Sequence, residues 1–68
     1  MKRYLRDVGR EIKKQRLVQS MTLPGLAEKA GISKGNLSKI ENGACNIGLE
    51  TLWKLAAALD INPSEFLP

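Results

Sequence analysis

Between residues 34 and 39 the chain places two lysines, a serine and a glycine where a helix would turn them to one side. At 100° per residue Gly35, Ser38, Lys39 and Asn42 lie opposite Leu37 and Ile40, with Lys34 at one margin and Asn36 at the other. Lys34 and Lys39 can donate to the O6 and N7 of guanine, Ser38 can donate or accept, and Gly35 lets a backbone approach closely while reading nothing itself. No carboxylate stands on that face. The chemistry on offer is hydrogen-bond donation to base edges in a major groove. Taken alone, the helix is equally well explained as a polar face in solvent.

Other chemistry is poorly provided for. The chain has no histidine and one cysteine, Cys45, so neither a zinc finger nor an internal disulfide can be assembled. There is no nucleophile beside a base, no glycine-rich phosphate loop and no pair of acids at catalytic spacing. We therefore expect no enzyme activity, metal, cofactor or small-molecule substrate. Cys45 reads as a small loop residue with no neighbouring cation to lower its thiol pKa. No run approaches 18 apolar residues, and the start MKRYLRDVGR has no apolar core of the signal-peptide kind. A soluble cytoplasmic protein without membrane contact is expected.

Sixty-eight residues, 43% of them hydrophobic, allow one domain (1–68) with a single small core. The net charge of +4 is unevenly spread. Residues 1–20 hold seven bases and two acids, residues 21–48 three and two, and residues 49–68 one and three. The first third suits a polyanion, and the last suits solvent or a protein partner.

The elements that must position these side chains are helical. Leu5, Val8 and Ile12 recur at helical spacing from Leu5 to about Gln19, with Lys2, Arg3, Arg6, Arg10, Lys13 and Lys14 filling the rest. Thr22 caps a second helix that carries Pro24 in its first turn and ends near Ala30. Gly31 ends that helix and Ser33 caps the third, which runs to about Asn42 before Gly43. Leu49, Leu52, Leu55, Ala56 and Leu59 mark the core side of a fourth, with Trp53 beside the stripe. Asn62-Pro63-Ser64-Glu65 starts a short last helix carrying Phe66 and Leu67. Gly25 costs its helix ~1 kcal/mol relative to alanine, and nothing in the sequence explains it.

Helix, glycine-bearing turn and helix from about residue 23 to 42 form a helix-turn-helix signature. The series Val8-Gly9, Ile12, Arg16, Thr22, Leu26-Ala27, Gly31-Ile32-Ser33, Leu37-Ser38, Ile40-Glu41-Asn42-Gly43, Asn46, Leu49-Glu50-Thr51-Leu52, Leu55-Ala56 and Ala58-Leu59 runs in order over nearly the whole chain. It resembles the DNA-binding domain of the phage repressor and Cro (XRE-like) family. The resemblance implies an all-α, five-helix, lambda-repressor-like fold whose helices 2 and 3 form the DNA-binding unit. It implies base contacts from Lys34, Gly35, Ser38 and Lys39. It also implies a phosphate contact from Asn42, with Thr22, Asn36 and Asn46 as companions, and it turns the basic first helix toward phosphate through Arg10 and Lys13. Arg16 would pair with Glu41 in a structural role. Related repressors often dimerise through the C-terminal region, which makes Ile47, Trp53, Phe66 and Leu67 dimer candidates, although Ile47 and Phe66 also read as residues that fill the core.

Three positions depart from the family pattern. Leu23 stands where a glutamine commonly braces a phosphate, Ile47 replaces a proline, and Gly48 replaces a capping serine. The leading expectation is a sequence-specific, dimeric binder of double-stranded DNA that regulates transcription. Leu23 and the acidic, apolar last third keep open a protein-interaction module, such as an antitoxin or adaptor. The basic first helix keeps open a non-specific nucleic-acid binder.

Overall fold

A computed structural model describes residues 3–67; Lys2, counted above with the basic first helix, lies outside them. The chain folds as α1 (Arg3–Val18), α2 (Leu23–Ala30), α3 (Lys34–Glu41) and α4 (Leu49–Leu59), followed by a 3-10 turn at Pro63–Phe66. No strand occurs among the described residues. The expected fifth helix is this single 3-10 turn. Its Asn62 side chain accepts the Ser64 N–H at 2.9 Å and Glu65 accepts the Asn62 N–H at 3.1 Å, completing a capping box. Leu67 is already extended, as a residue before proline prefers, so the turn cannot lengthen.

Short helices form here because their ends are satisfied locally. Thr22 Oγ1 accepts the Gly25 N–H at 3.1 Å, and Ser33 Oγ accepts the Asn36 N–H at 3.1 Å. Gly31, at φ 74°, closes α2 in the left-handed region. The cap also accounts for Gly25, because a Cβ there would sit 2.9 Å from the hydroxyl that receives its N–H. Gly48 gives α4 no side-chain cap.

The helices enclose a core whose fully buried large side chains are Ile12, Leu26, Leu37, Leu55, Leu59 and Phe66. Full burial of such a side chain is worth about 1.5–3 kcal/mol. Phe66, at 1% exposure, is therefore core and offers no dimer surface, a correction to its place among the dimer candidates. Leu49 corrects the expected stripe in the opposite sense: it is 70% exposed. It lies at the end of its helix, where Ile47 packs against the core from the preceding loop. Trp53, expected beside the stripe, is 56% exposed.

α1 lies tightly against the C-terminal end of α3. A Cβ on Gly9 would stand 2.7 Å from the Glu41 carbonyl oxygen and would also collide with that of Ile40. One turn earlier, the backbone of Arg6 passes so near Gly43 (φ 68°) that a Cβ there would lie 2.9 Å from the Arg6 Cα. Beside this contact Arg16 donates from Nε to Glu41 Oε2 at 2.8 Å and from Nη2 to Glu41 Oε1 at 3.0 Å. Its remaining nitrogen, Nη1, donates to the Met21 carbonyl at 2.9 Å. Both charged residues are 8% exposed, and no described buried side-chain polar atom lacks a partner.

The hydrogen bond that Arg16 donates to Glu41 raises the Arg16 pKa above its ordinary value despite the opposing effect of burial. A raised cation pKa stabilises the fold at every pH below the unfolded value. This contribution is therefore present across the neutral range and is lost only in strong alkali. Arg16→Ala and Glu41→Ala should each cost about 3–5 kcal/mol in a denaturant melt, because each leaves a buried charge unmatched. Gly9→Ala should cost about 1–3 kcal/mol by overpacking against backbone that cannot rotate away. Melts indistinguishable from the parent would show that α1 and α3 are not fastened here.

Candidate nucleic-acid interface

The outward side of α3 is built by what the inward side buries. Leu37 and Ile40 are driven into the core, which leaves Lys34, Gly35, Asn36 and Lys39 exposed and Ser38 half-buried between the two environments. Nothing lies within 4 Å of the place a Gly35 side chain would occupy, so the first turn of α3 presents bare backbone. Lys34 and Lys39 form no ion pair among the described residues. The face carries exposed cationic donors and no bound carboxylate, as an approach to guanine edges requires.

The other expected residues surround α3 unevenly. Thr22 is exposed at the start of α2; its oxygen accepts within the helix cap, and its hydroxyl proton remains available to an acceptor outside. Asn42 is the C-cap of α3 and is exposed, and Asn46 is exposed in the following loop. Arg10 and Lys13 are exposed on α1 and line one shallow depression with Arg6, Glu41 and Asn42. The fold thus joins three expected phosphate residues, Arg10, Lys13 and Asn42. Arg6 belongs with them, and its i, i+4 relation to Arg10 was a usable signal. Leu23 is half-buried and packs against the core, so the position where related chains carry a glutamine is given to packing.

The dimer candidates do not share one site. Trp53 and Leu49 stand one turn apart on α4 and are both exposed, while Leu67, 56% exposed, lines a depression with Asp7, Arg10 and Glu11 of α1. Ile47 is only partly buried. Leu49 was missed because its spacing fits the core stripe; only its place at the helix end argues otherwise. Among the described residues, no helix is long and apolar enough to cross a membrane.

Comparison with known proteins agrees with this geometry. A family model described as "Helix-turn-helix" matches residues 12–66. The chain is 41% identical over 61 residues to the HTH-type transcriptional regulator SinR of Bacillus subtilis, covering 88% of this chain and 55% of that protein. It is 34% identical over 59 residues to the uncharacterized HTH-type transcriptional regulator y4aM of Sinorhizobium fredii, covering 87% of this chain and 41% of that one. It spans about half the length of these relatives or less. Among solved structures, the restriction-modification controller protein C.AhdI from Aeromonas hydrophila superposes with a TM-score of 0.91 at 30% identity, over 93% of this chain and 96% of that one. SinR in its complex with SinI gives 0.84 at 38% identity, over 88% and 59%. With the helix-turn-helix geometry, the family match and these relatives in agreement, the chain belongs to the helix-turn-helix family of phage repressor and Cro type, a family of DNA-binding transcriptional regulators.

Proposed function

We propose that residues 1–68 act as one sequence-specific, double-stranded DNA-binding domain of a cytoplasmic transcriptional regulator, with α3 in the major groove. The observation that carries this reading is the outward face of α3, where two unpaired lysines flank open backbone at Gly35. In this reading Lys34, Gly35, Ser38 and Lys39 meet base edges. Thr22, Asn36, Asn42, Asn46, Arg10 and Lys13 meet phosphates, which set register while the bases set sequence.

The domain works as a homodimer on two half-sites, with recognition helices roughly 34 Å apart to match one turn of DNA. Support comes from the exposed Leu49 and Trp53 on α4, in the acidic third of the chain. The same pair supports a second reading, in which α4 receives a different protein. Sedimentation at micromolar protein, with and without DNA, separates the two. A dimer that Trp53→Lys converts to monomer is expected, and a parent that stays monomeric in both conditions would rule self-association out.

Two lysines test the groove assignment. Lys39→Ala should cost about 1–3 kcal/mol on the preferred site and relax preference at one or two base pairs per half-site. Lys13→Ala should weaken preferred and scrambled duplexes by the same factor, since a phosphate contact carries no sequence information. Site selection returning an equally sharp motif for Lys39→Ala and parent would show that Lys39 reads no base. Equal affinity of the parent for matched and scrambled duplex would reduce the protein to a non-specific binder.

A further inference from the structure

We propose that Arg6, Arg10 and Lys13 of α1 converge with Asn42 on a single DNA backbone phosphate, making one shared cradle at the C-terminal end of the recognition helix. The inference rests on the DNA-binding reading and goes beyond it. That reading treats Arg10, Lys13 and Asn42 as separate contacts and gives Arg6 no role.

Three observations carry it. First, the four side chains line one depression, which the tight passage of Arg6 beside Gly43 brings against the end of α3. Second, none of the three cations forms an ion pair among the described residues, although they stack at i, i+4 and i, i+7 on one helix face. Like charges so placed destabilise a helix unless an anion joins them. The nearby acids do not fill that role. Both Glu41 oxygens are occupied by Arg16, and Glu11 accepts a hydrogen bond from Gln15 at 3.3 Å. Asp7 is half-buried and faces a neighbouring depression that it shares with three arginines, Arg3, Arg6 and Arg10. Third, the floor of the depression is neutral as a pair: Glu41 would repel a phosphate, but its charge is matched at 2.8 Å by Arg16.

The chemistry selects a phosphate diester. Arginine forks offer parallel N–H donors to two anionic oxygens, the lysine adds a point charge, and the Asn42 amide adds a neutral donor. Placement selects DNA backbone, because the cradle closes the end of α3 opposite to the turn that presents Lys34 and Gly35. A phosphate held there belongs to the strand bordering the groove that α3 enters.

Sharing one phosphate has a measurable signature. Independent contacts would each remove about 0.9 from the slope of log affinity against log salt, so the triple variant Arg6→Gln/Arg10→Gln/Lys13→Gln would lose about 2.7 per bound protomer. A shared phosphate predicts that single variants change the slope little and that the triple variant loses only about 0.9 per protomer. Lys54→Gln, on α4, serves as the charge-matched control for each single variant. A duplex scanned with single uncharged methylphosphonates supplies a readout that does not depend on variant folding. One position per half-site should weaken the parent strongly and the triple variant, which keeps only Asn42 there, much less. Additive slope losses, or several phosphates with this behaviour, would overturn the shared cradle in favour of separate contacts. A parent that prefers its site while neither slope nor scan responds would remove α1 from the interface and leave the function standing. A parent with no preference for any duplex sequence would instead overturn the functional reading, and the cradle with it.

Discussion

The structure depends on how closely α1 can lie against the end of α3. An eight-residue helix with two apolar residues is too short to persist alone, so α3 holds its shape only as long as its neighbours hold it. Leu37 and Ile40 fasten its inner side, and Ser33 caps its start. At its far end the carbonyls of Ser38, Lys39 and Ile40 accept the N–H groups of Asn42, Ala44 and Gly43, and the end itself is pressed under Gly9 and beside Arg6. The Arg16 fork on Glu41 fixes the angle at which that happens, and the bond to the Met21 carbonyl ties the same guanidinium to the connector before α2. One side chain therefore ties together α1, the connector before α2 and the end of α3.

Most of this was legible in the residues. Caps read as caps: Thr22, Ser33 and Asn62 accept the N–H groups that their positions predict, because N-capping is decided within four residues and needs no tertiary knowledge. Apolar spacing placed Leu26, Leu37, Leu55 and Leu59 correctly. The Arg16–Glu41 pair was reached through resemblance alone, since a separation of 25 residues carries no local signal. What stayed hidden was decided by neighbours that periodicity does not see. Leu49 has core spacing and is exposed because a helix end has less around it. Phe66 looked equally suited to core or interface, and only the packing of the 3-10 turn against α1 and α4 assigns it to the core. Gly9 could be read as a flaw in α1 until the carbonyls beneath it were in place.

The charge distribution follows from the same packing. α3 lies against α1 and α2, and α4 packs against α2, α1 and the 3-10 turn. The cationic first third lies beside α3, and the acids of the last third are carried mainly by α4 and the turn that follows it, which packs on another side of α1. A DNA duplex approaching the basic side is attracted by the summed charge before close contact. At physiological salt that attraction fades beyond about 8 Å, so it orients the encounter rather than selecting the site. The apolar edge formed by Leu49 and Trp53 belongs to the acidic third, where a second protein surface would not have to displace phosphate.

The face proposed to read bases belongs to a helix whose outer side contributes little to its own stability. Gly35 weakens α3 by about 1 kcal/mol relative to alanine and is met by no neighbouring atom, so packing does not account for it. The lysines are unpaired and free to move, and they lose conformational freedom only when an acceptor fixes them. Such a face tolerates substitution without unfolding the domain, because none of its side chains except Ser38 is even half-buried. The inner side tolerates almost none: Leu37 is fully buried, and the carbonyls of Ile40 and Glu41 lie under Gly9. The residues proposed to read bases, Lys34, Gly35, Ser38 and Lys39, are therefore separate from those that hold α3, among them Gly9, Arg16, Leu37, Ile40 and Glu41. The two sets share no residue, which is why one scaffold can carry many different outward faces.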